Sequence, residues 1–527
     1  MRTMRWSSPP SWRSVVVVIV AALACAADAA NILAVETMAG MSHWNFMSGV
    51  LRALVDNGHA VTAFTPFPTR PDGQRSHVNY TEVDLSRELL TSVNNRLTDV
   101  QQKWSTPVGQ IYKWLRLSRN ACDKIYGHPA MKDALQRHLD GRARFDAIVV
   151  EPFLSDCVSY AAGRLRVPLV YVTPLPAIGL MERAHTGHAS NPAVVSHLVA
   201  DHRIPRTFAQ RLSNAALSAY CAVAVVCANA ALRYVEPREY DAVPLVTPSL
   251  IFVNGHYISE PSNPVAQSVV HVGGIHLKPP EKLPEDILDF IEQSSHGVIF
   301  FTFGSTVKMS SLPEHIKNSF IEVLAQIPQR VLWKYEGELK NKPKNLMIKK
   351  WLPQRDILMH PNVKLFISHG GISGLYEAVD AGVPVLGFPL FGDQHRNIDN
   401  LVNAGMAISM DLFSVSEETL LKHILELVNN KKYPMNAKTT SNIFKDRPIT
   451  PAQSVVYWTE YVLRHNGAPH LKSHSINLTW FQYYLLDVIS FAIILISVVF
   501  FAVYKMLKCI YKCTLIFYHH NVKAKIE

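Results

Sequence analysis

Short runs of consecutive apolar residues alternate with amphipathic stretches along much of this chain. Residues 32–35 form one apolar run, and residues 45–56 follow it with apolar side chains at helical spacing. Gly58 is placed to end that helix, and residues 60–64 form the next run. The order of a strand, a helix and a second strand predicts a βαβ unit.

Two further apolar runs, residues 145–150 and 169–172, show no alternation with polar residues. Strands of that kind are typical of a parallel sheet that is covered on both faces. Prolines and paired glycines then cluster in residues 255–285, where we predict a linker. The same rhythm restarts after it, with strands predicted at residues 298–303, 331–335, 346–349 and 363–368 and a helix at residues 312–326.

This pattern predicts an α/β fold class with two Rossmann-like, doubly wound domains that face each other across a cleft. We place the first domain at residues 30–265 and the second at residues 266–465. In open sheets of this kind the ligand binds at the carboxyl ends of the strands. Polar residues at those positions are therefore the candidates for function.

The amino terminus has the three-part layout of a cleavable secretory signal. Three arginines precede an apolar run at residues 14–25, and small residues follow up to Ala30. An uncleaved anchor is the alternative, but the run is too short to cross a bilayer, which takes about 20 helical residues. We predict a signal peptide over residues 1–29.

A second apolar run, residues 485–504, is long enough to span a membrane. Several lysines follow it, which places that flank on the cytoplasmic side. Residues 466–484 then form a juxtamembrane segment and residues 505–527 a cytoplasmic tail. The last two lysines, Lys523 and Lys525, resemble a dilysine retrieval signal. We expect a single-pass type I protein of the endoplasmic reticulum membrane, with its main part in the lumen.

A lumenal location has consequences for glycans and cysteines. Asn79 and Asn477 begin glycosylation sequons, so we expect a glycoprotein. Because the lumen is oxidising, we also expect one or two disulfides among Cys122, Cys157, Cys221 and Cys227. The sequence leaves their pairing open.

Composition narrows the class of protein further. The chain has 527 residues, of which 48% are hydrophobic and 18% charged, so it is not a disordered chain. Part of its formal net charge of +10 lies at the two termini, and the remainder is too dilute for a nucleic-acid footprint. No C-x-x-C pair occurs among the seven cysteines, and we predict no metal site. A single spanning helix excludes a transporter.

The strongest motif runs from a strand through a glycine turn into a helix. The strand is predicted to end at Ser368 and the helix to begin near Ser373, with Gly370 and Gly371 between them. Glycines let a ligand approach the backbone, and a helix amino terminus offers free N–H groups and a positive dipole end. His369 at this turn can donate to a phosphate oxygen. The turn therefore predicts an anion site suited to a diphosphate, with Gly371 and Ser373 among its contacts.

Two acidic residues extend this candidate site. Glu377 lies four residues after Ser373, on the same helical face, and can accept hydrogen bonds from two ribose hydroxyls. A later loop ends in Asp393 and Gln394, a carboxylate beside an amide, which suits the hydroxyls of a sugar ring. Together these residues predict a nucleotide-phosphate site whose exact ligand the pattern does not define.

Residues 366–394 resemble the signature of the membrane-bound UDP-glycosyltransferases of animals, which include the vertebrate glucuronosyltransferases and their insect counterparts. The resemblance also covers the signal peptide, both domains and the tail anchor. It implies the GT-B fold, with the acceptor bound by the amino-terminal domain and the sugar nucleotide by the carboxyl-terminal domain. The chain departs from the family's pattern at Ser373, where many members carry Asn. The hydroxyl of Ser373 can still contact phosphate, but it has a shorter reach.

The resemblance also implies roles for residues outside this motif. Trp351 is similar to the indole that stacks on uracil, and Gln354 to its hydrogen-bonding companion. Ser305, which follows a predicted strand, resembles the family's phosphate-contacting serine. Asn397 is a further candidate near the diphosphate.

The family's catalytic base is a histidine just after the first strand, and His43 matches it. An acceptor hydroxyl must lose its proton as it attacks the anomeric carbon, and imidazole titrates near neutrality. A carboxylate is expected to orient the ring. Glu151 occupies the position where the family places an Asp, and Asp156 is its rival. We rank Glu151 first because it stands at a strand end.

The resemblance implies inverting transfer of a hexose from a UDP-sugar to the hydroxyl of a small lipophilic acceptor, such as a phenol, an alcohol or a steroid, in conjugation or detoxification. UDP-glucose is favoured as donor because the residues around Gly387 look like those of insect members. The alternative donor is UDP-glucuronate. The alternative function is a non-catalytic subunit that binds a nucleotide sugar. The UDP-sugar is a co-substrate and no separate cofactor is expected. The membrane is an expected partner and nucleic acid is not, while a homo-oligomer is left open.

Overall fold

The computed structural model describes residues 29–523 except residues 70–76, 90–94, 105–109, 153–155, 177–180, 198–199, 201 and 340–341. The predicted signal peptide, up to residue 28, and the end of the tail with Lys525 lie outside the described residues. The chain divides into two compact units, Met1–Lys472 and Ser473–Glu527.

The first unit contains two parallel sheets, each at the centre of one lobe. The strands of the first sheet are β1 (Asn31–Val35), β2 (Ala60–Thr65), β3 (Tyr80–Asp84), β4 (Ala147–Val150), β5 (Leu169–Thr173), β6 (Leu250–Val253) and β7 (Val269–His271). Their order across the sheet is β3-β2-β1-β4-β5-β6-β7. The order reverses next to β1, which is the doubly wound arrangement and opens a crevice at the carboxyl ends of β1 and β4.

Helices cover both faces of this first sheet. They are α1 (Met41–Asp56), α2 (Leu97–Trp104), α3 (Ile111–Gly127), α4 (Pro129–Leu139), α5 (Tyr160–Leu165), α6 (Glu182–Thr186) and α7 (Phe208–Val235). All residues of β4 and β5 are buried. This confirms the prediction, made from their unbroken apolar runs, that both faces of the parallel sheet are covered.

The second lobe repeats the plan with six parallel strands. They are β8 (Val298–Thr302), β9 (Arg330–Lys334), β10 (Leu346–Lys349), β11 (Val363–Ser368), β12 (Val385–Gly387) and β13 (Ala407–Ser409). Their order is β10-β9-β8-β11-β12-β13. The helices of this part are α8 (Glu285–Glu292), α9 (Glu314–Gln326), α10 (Gln354–Leu358), α11 (Ile372–Ala381), α12 (Gln394–Asn403), α13 (Glu417–Asn429), α14 (Lys432–Lys445) and α15 (Pro451–Arg464).

The lobes do not divide where the sequence places the boundary, between residues 265 and 266. Val269 of β7 pairs with Ile251 of β6, so the first sheet continues beyond that point. α15 then returns from the second lobe and packs on α1 and β6, with Val455 and Val462 buried in the first lobe's core. A strand of three residues in a proline-rich segment shows no periodicity, which is why the pattern hid it.

Polar contacts join the two lobes. The buried guanidinium of Arg396 in α12 forms an ion pair with Glu260, which follows β6. The hydroxyl of Tyr376 in α11 lies 2.6 Å from Ser259 Oγ and donates to the carbonyl of Asn254 at 3.1 Å. A buried charge pair tolerates little displacement, because separating it would leave an unpaired charge in the interior. These contacts fix how the two sheets face each other.

One disulfide lies in the first lobe. Cys122 of α3 is bonded to Cys157, in the short 3-10 turn that follows β4. Cys221 and Cys227 in α7 are free, the former buried and the latter exposed. Of the pairings that the sequence left open, the structure therefore contains the one between Cys122 and Cys157.

The second unit contains α16 (Trp480–Tyr483) and α17 (Leu486–Lys523). α17 includes most of the predicted span and is long and apolar enough to cross a membrane. Among the described residues α7 meets the same test of length and composition. However, its Cys221, Val225 and Leu232 pack against α3, so α7 is an integral helix of the first lobe.

Candidate active site

A cavity of about 380 Å³ lies between the two lobes, at the carboxyl ends of their sheets. Most of the predicted site residues line it: His43, Glu151, Ser305, Trp351, Gln354, His369, Gly371, Ser373, Glu377, Asp393 and Gln394. Residues that are far apart in sequence therefore share one enclosed space.

A histidine and a carboxylate meet at the first lobe's side of this cavity. His43 lies in the first turn of α1, and Glu151 directly follows β4. Because β1 and β4 are neighbours with Val35 paired to Val150, their carboxyl ends lie side by side. The imidazole Nδ1 of His43 is 2.5 Å from Oε1 of Glu151. A carboxylate on Nδ1 favours the tautomer with the proton there and leaves Nε2 able to accept one.

Burial sets the protonation of this pair. Desolvation lowers the pKa of His43 below its ordinary value, while the neighbouring carboxyl groups of Glu36 and Asp393 oppose that shift. Desolvation also raises the pKa of Glu151 to about 7, and the neighbouring carboxyl group of Glu36 partly offsets this. His43 is consequently neutral near neutral pH, as a general base must be.

The rival carboxylate, Asp156, lies in a different place. It begins the 3-10 turn that runs to Ser159, and its side chain lies outside the described residues. Glu151 is thus the carboxylate that the structure places on His43.

At the far end of the cavity, a tryptophan and an amide-carboxylate pair lie together in the second lobe. Gln354, the first residue of α10, donates from Nε2 to Oε2 of Glu377 at 2.6 Å. Gly374 makes room for this pair, since a Cβ there would lie 2.9 Å from Nε2 of Gln354. The indole of Trp351 is 64% exposed and presents a flat apolar face. Desolvation raises the pKa of Glu377 to about 7, the hydrogen bond from Gln354 acting against it.

Glycines enclose His369 in the middle of the cavity. A Cβ on Gly304 would lie 2.6 Å from Cε1 of His369, and one on Gly371 would lie 2.8 Å from its Nε2. The positive φ of Gly304, 73°, is a further reason for glycine there. Desolvation, reinforced by Lys334, lowers the pKa of His369 to about 4. His369 is therefore a neutral hydrogen-bonding group beside the amino terminus of α11.

Three polar residues at the start of α12 have different contacts. The side-chain oxygen of Gln394 accepts from the backbone N–H groups of Leu390 and Phe391, at 2.8 and 3.1 Å. Asn397 does not line the cavity, unlike the other second-lobe candidates. It donates to Asp393 Oδ2 at 2.6 Å and to the carbonyl of Gly370 at 3.0 Å. Asn397 thus holds the side chain of Asp393 and the glycine turn in place.

Lys334 and His276 are among the cavity residues that sequence reasoning missed. Lys334 ends β9, donates to the Gly304 carbonyl at 2.7 Å, and holds its ammonium 5.7 Å from the centre of the Trp351 ring. His276 lies in the predicted linker and has Nε2 3.1 Å from the carbonyl of Ser373. The available signal for Lys334 was a lysine directly after the apolar residues 331–333 of a predicted strand. The sequence held no signal for His276, because its place at the cavity depends on how the two lobes pack.

The described residues hold no group of three or more His, Cys, Asp or Glu side chains placed to bind a metal ion. The cavity's polar groups are hydrogen-bond donors and acceptors at the ends of strands and helices. Such an arrangement suits a ligand that carries both a diphosphate and several hydroxyls.

Comparison with known proteins identifies the relatives of this chain. Residues 30–521 match the family model described as "UDP-glucoronosyl and UDP-glucosyl transferase". The chain is 34% identical to UDP-glucosyltransferase 2 of Dactylopius coccus, over 98% of this chain and 99% of that protein. It is 30% identical to UDP-glucuronosyltransferase 2B19 of Macaca fascicularis, over 89% of this chain and 92% of that protein.

Solved structures share the fold at low sequence identity. The glycosyltransferase VinC in complex with DTDP superposes with a TM-score of 0.53 at 14% identity, covering 82% of this chain and 100% of that one. Os79 from O. sativa, in complex with U2F and trichothecene, gives a TM-score of 0.56 at 14% identity, with the same coverage of 82% and 100%. The predicted GT-B fold, with two facing α/β lobes, is confirmed.

Proposed function

Because the chain belongs to the UDP-glucuronosyl and UDP-glucosyl transferase family, we propose that this UDP-glycosyltransferase moves glucose from UDP-glucose to the hydroxyl of a small lipophilic acceptor, with inversion at the anomeric carbon. The observation that carries the reaction type is the contact of 2.5 Å between His43 and Glu151 at the cavity wall. The sugar donor and the class of acceptor are argued from the other residues of the cavity.

In the proposed reaction, His43 Nε2 takes the proton of the acceptor hydroxyl as its oxygen bonds to the anomeric carbon. The bond between that carbon and the diphosphate breaks, and its electron pair leaves with UDP. Glu151 stabilises the imidazolium that forms and keeps the ring oriented. Attack and departure occur on opposite faces of the sugar, so one displacement inverts the configuration.

We assign the UDP moiety to the second lobe. Trp351 provides a platform for the base, and Glu377, held by Gln354, accepts from the ribose hydroxyls. Ser305, Ser373, His369 and the free N–H groups that begin α11 contact the diphosphate, whose charge grows as the bond breaks. In this scheme protein groups supply the stabilisation, and the UDP-sugar is a co-substrate with no separate cofactor.

The electrostatics of the sugar end favour a neutral hexose. Asp393 and Gln394 are assigned to the sugar hydroxyls, and Asp393 lies close enough to His43 for each to shift the other's pKa. A glucuronate carboxylate would meet the carboxylates of Asp393 and Glu151. Among the described residues that line the cavity, the only Lys or Arg is Lys334, which already binds a backbone carbonyl and lies near Glu336.

The first lobe's part of the cavity supports a lipophilic acceptor. Its wall includes Met38, Met41, Trp114, Pro174 and Leu175, side chains that offer apolar surface and few hydrogen bonds. A phenol, an alcohol or a steroid would bury its apolar body there and direct its hydroxyl to His43. Conjugation of such compounds is a detoxification reaction.

We place the enzyme in the endoplasmic reticulum membrane with the lobes in the lumen. The apolar helix α17 provides the span, and Lys505, Lys508 and Lys512 follow its most apolar part, as expected at a cytoplasmic boundary. The disulfide between Cys122 and Cys157 fits an oxidising compartment. The sequons at Asn79 and Asn477 would then be accessible to glycosylation.

Two assays test the proposal. Purified full-length protein in detergent is incubated with a phenolic acceptor and equal concentrations of UDP-glucose and UDP-glucuronate, and the conjugates are separated by mass. Predominance of the glucoside supports the donor assignment, whereas predominance of the glucuronide overturns it. If no UDP is released with either donor while UDP still binds, the chain is a non-catalytic nucleotide-sugar-binding subunit.

A further inference from the structure

A second buried carboxyl group, Glu36, stands beside Glu151. β1 and β4 are parallel neighbours in which Ala34 pairs with Val149 and Val35 with Val150. Continuing this register places Glu36 opposite Glu151, on the same face of the sheet. The backbone N–H of Glu151 still donates to the carbonyl of Val35, at 3.4 Å, so the strands remain together at this point.

The hydrogen bonds of the two carboxyl groups leave one oxygen of each unaccounted for. Oε1 of Glu36 accepts from the backbone N–H of Met38 at 3.1 Å, and Oε1 of Glu151 contacts His43. Oε2 of Glu36 and Oε2 of Glu151 are buried, and among the described residues no N–H or hydroxyl donates to either. The two side chains are neighbours at the ends of paired strands, and each shifts the pKa of the other. A proton carried by one of the two carboxyl groups can serve both oxygens.

The surroundings decide which group carries that proton. Glu36 is fully buried, and desolvation together with the charge of Glu151 raises its pKa well above the ordinary value. Glu36 has the opposite effect on Glu151, because it lowers the pKa of Glu151. The other groups facing this cluster are His43 of α1, the Met38 N–H and, from the second lobe, Asp393, which faces His43. Glu36 is therefore the neutral acid and Glu151 the carboxylate.

We propose that Glu36 is a positioning residue that donates its carboxyl proton to Oε2 of Glu151, and so keeps that carboxylate ionised and directed at His43. Glu36 does not touch the substrates and retains its proton throughout the reaction. The chain of contacts runs from Glu36 to Glu151 to His43 and ends at the acceptor hydroxyl. This inference rests on the proposed function, since it concerns the same histidine.

Two substitutions separate the hydrogen bond from the bulk of the side chain. In Glu36→Gln a neutral N–H replaces the O–H donor, so we expect kcat within about threefold of the wild-type value and an unchanged pH midpoint. Glu36→Leu removes the donor, and we expect kcat to fall by about 10- to 100-fold with its acid limb moved to higher pH. The KM for UDP-glucose should stay constant in both, because UDP is assigned to the other lobe.

The matched control is Asp146→Asn. Asp146 is the residue before β4 and accepts from the N–H of Asn31 at the opposite ends of β1 and β4, 2.9 Å away. This substitution also replaces a carboxyl group by an amide next to the same strands, and we expect wild-type kcat and an unshifted profile.

Several results would overturn the positioning role. A Glu36→Gln variant with unchanged UDP binding but a loss as large as that of Glu36→Leu would show that a neutral donor does not suffice. Wild-type kcat and pH profile in Glu36→Leu would show that no donor is needed. If Glu36→Leu does not fold, Glu36→Met, which also lacks a donor and keeps the length of the side chain, is measured in its place with the same expected loss. Failure of the proposed function is distinct, since wild-type protein would then release no UDP.

Discussion

His43 Nδ1 and Glu151 Oε1 lie 2.5 Å apart, although 108 positions separate the two residues in the chain. The contact arises because β1 and β4 are adjacent parallel strands whose carboxyl ends open on the same crevice. The imidazole is thereby held at one ring nitrogen while the other remains available to the cavity.

Removal of the imidazole should abolish transfer and spare nucleotide binding. For His43→Ala we expect kcat to fall by about 100- to 10,000-fold, the range for a lost general base. UDP affinity, measured by calorimetry, should remain close to wild type because UDP is assigned to the second lobe. His315→Ala, at an exposed position of α9, is the control. A large loss of UDP affinity in His43→Ala would contradict the assignment.

Substitution of Glu151, the carboxylate that contacts His43, should lower kcat more than substitution of Asp156. Glu151→Gln keeps the size of the side chain and removes its charge, so the imidazolium loses its partner and kcat should fall about 100-fold or more. Asp156→Asn should leave kcat within about twofold, because Glu151 already occupies Nδ1 of His43. Initial rates of UDP release measure both variants. The opposite ranking would exchange the two roles.

The rate should rise with pH through the titration of this pair. Burial raises the pKa of Glu151 to about 7 and lowers that of His43, so the ionised Glu151 forms only as pH increases. Activity is therefore present above the pKa of Glu151 and is lost as pH falls through it. A kcat profile from about pH 5.5 to about pH 8.5 should show an acid limb near neutrality that Glu151→Gln removes. If kcat of the wild-type protein did not change over this pH range, the ionisation of Glu151 would not control the rate.

The nucleotide platform should control donor affinity. Trp351→Ala removes a stacking surface worth about 1 to 3 kcal/mol, so the KM for UDP-glucose should rise by about 5- to 150-fold with kcat little changed. Glu377→Gln should also raise KM, because an amide replaces one of the oxygens that accept from ribose. Phe413→Ala, at an exposed aromatic residue outside the cavity, should leave KM unchanged. A pure loss of kcat in Trp351→Ala would place this side chain at the reacting atoms.

Loss of the disulfide should destabilise the first lobe. Cys122 and Cys157 are 35 residues apart and both buried. Cys122→Ser should lower the free energy of unfolding by about 2 to 4 kcal/mol, through a less restricted unfolded chain and a buried hydroxyl. Cys227→Ser changes an exposed free thiol and is the control. Denaturant melts compare the variants, and equal midpoints would show that the bond adds no stability.

The sequence was informative about the fold wherever strands are long and apolar throughout. β1, β4, β5 and β8 each contain four consecutive apolar residues, which stand out because both faces of the sheet are covered. β7 and β13 have only three residues each, too few to show a period. The domain boundary was misplaced for the same reason, and the return of α15 to the first lobe depends on packing between distant segments.

Local geometry also explains which site residues could be found. His369, Ser373 and Glu377 lie within one strand-turn-helix motif, so their proximity follows from the spacing of residues alone. Glu36 was overlooked, although it follows Val35 just as Glu151 follows Val150, because its significance requires the register of two strands. Residues that meet across the cleft, such as Asp393 and His43, need the packing of both lobes.

The return of α15 limits where the chain can be shortened to remove the apolar helix α17. Val455 and Val462 are part of the first lobe's core, and Glu460 accepts from the side chain of Asn57 at 2.9 Å. A stop codon placed after the second sheet, at about residue 450, would expose apolar surface on α1 and β6 and favour aggregation. Truncation after Lys472 retains the whole first compact unit and is the rational end point for expression without detergent.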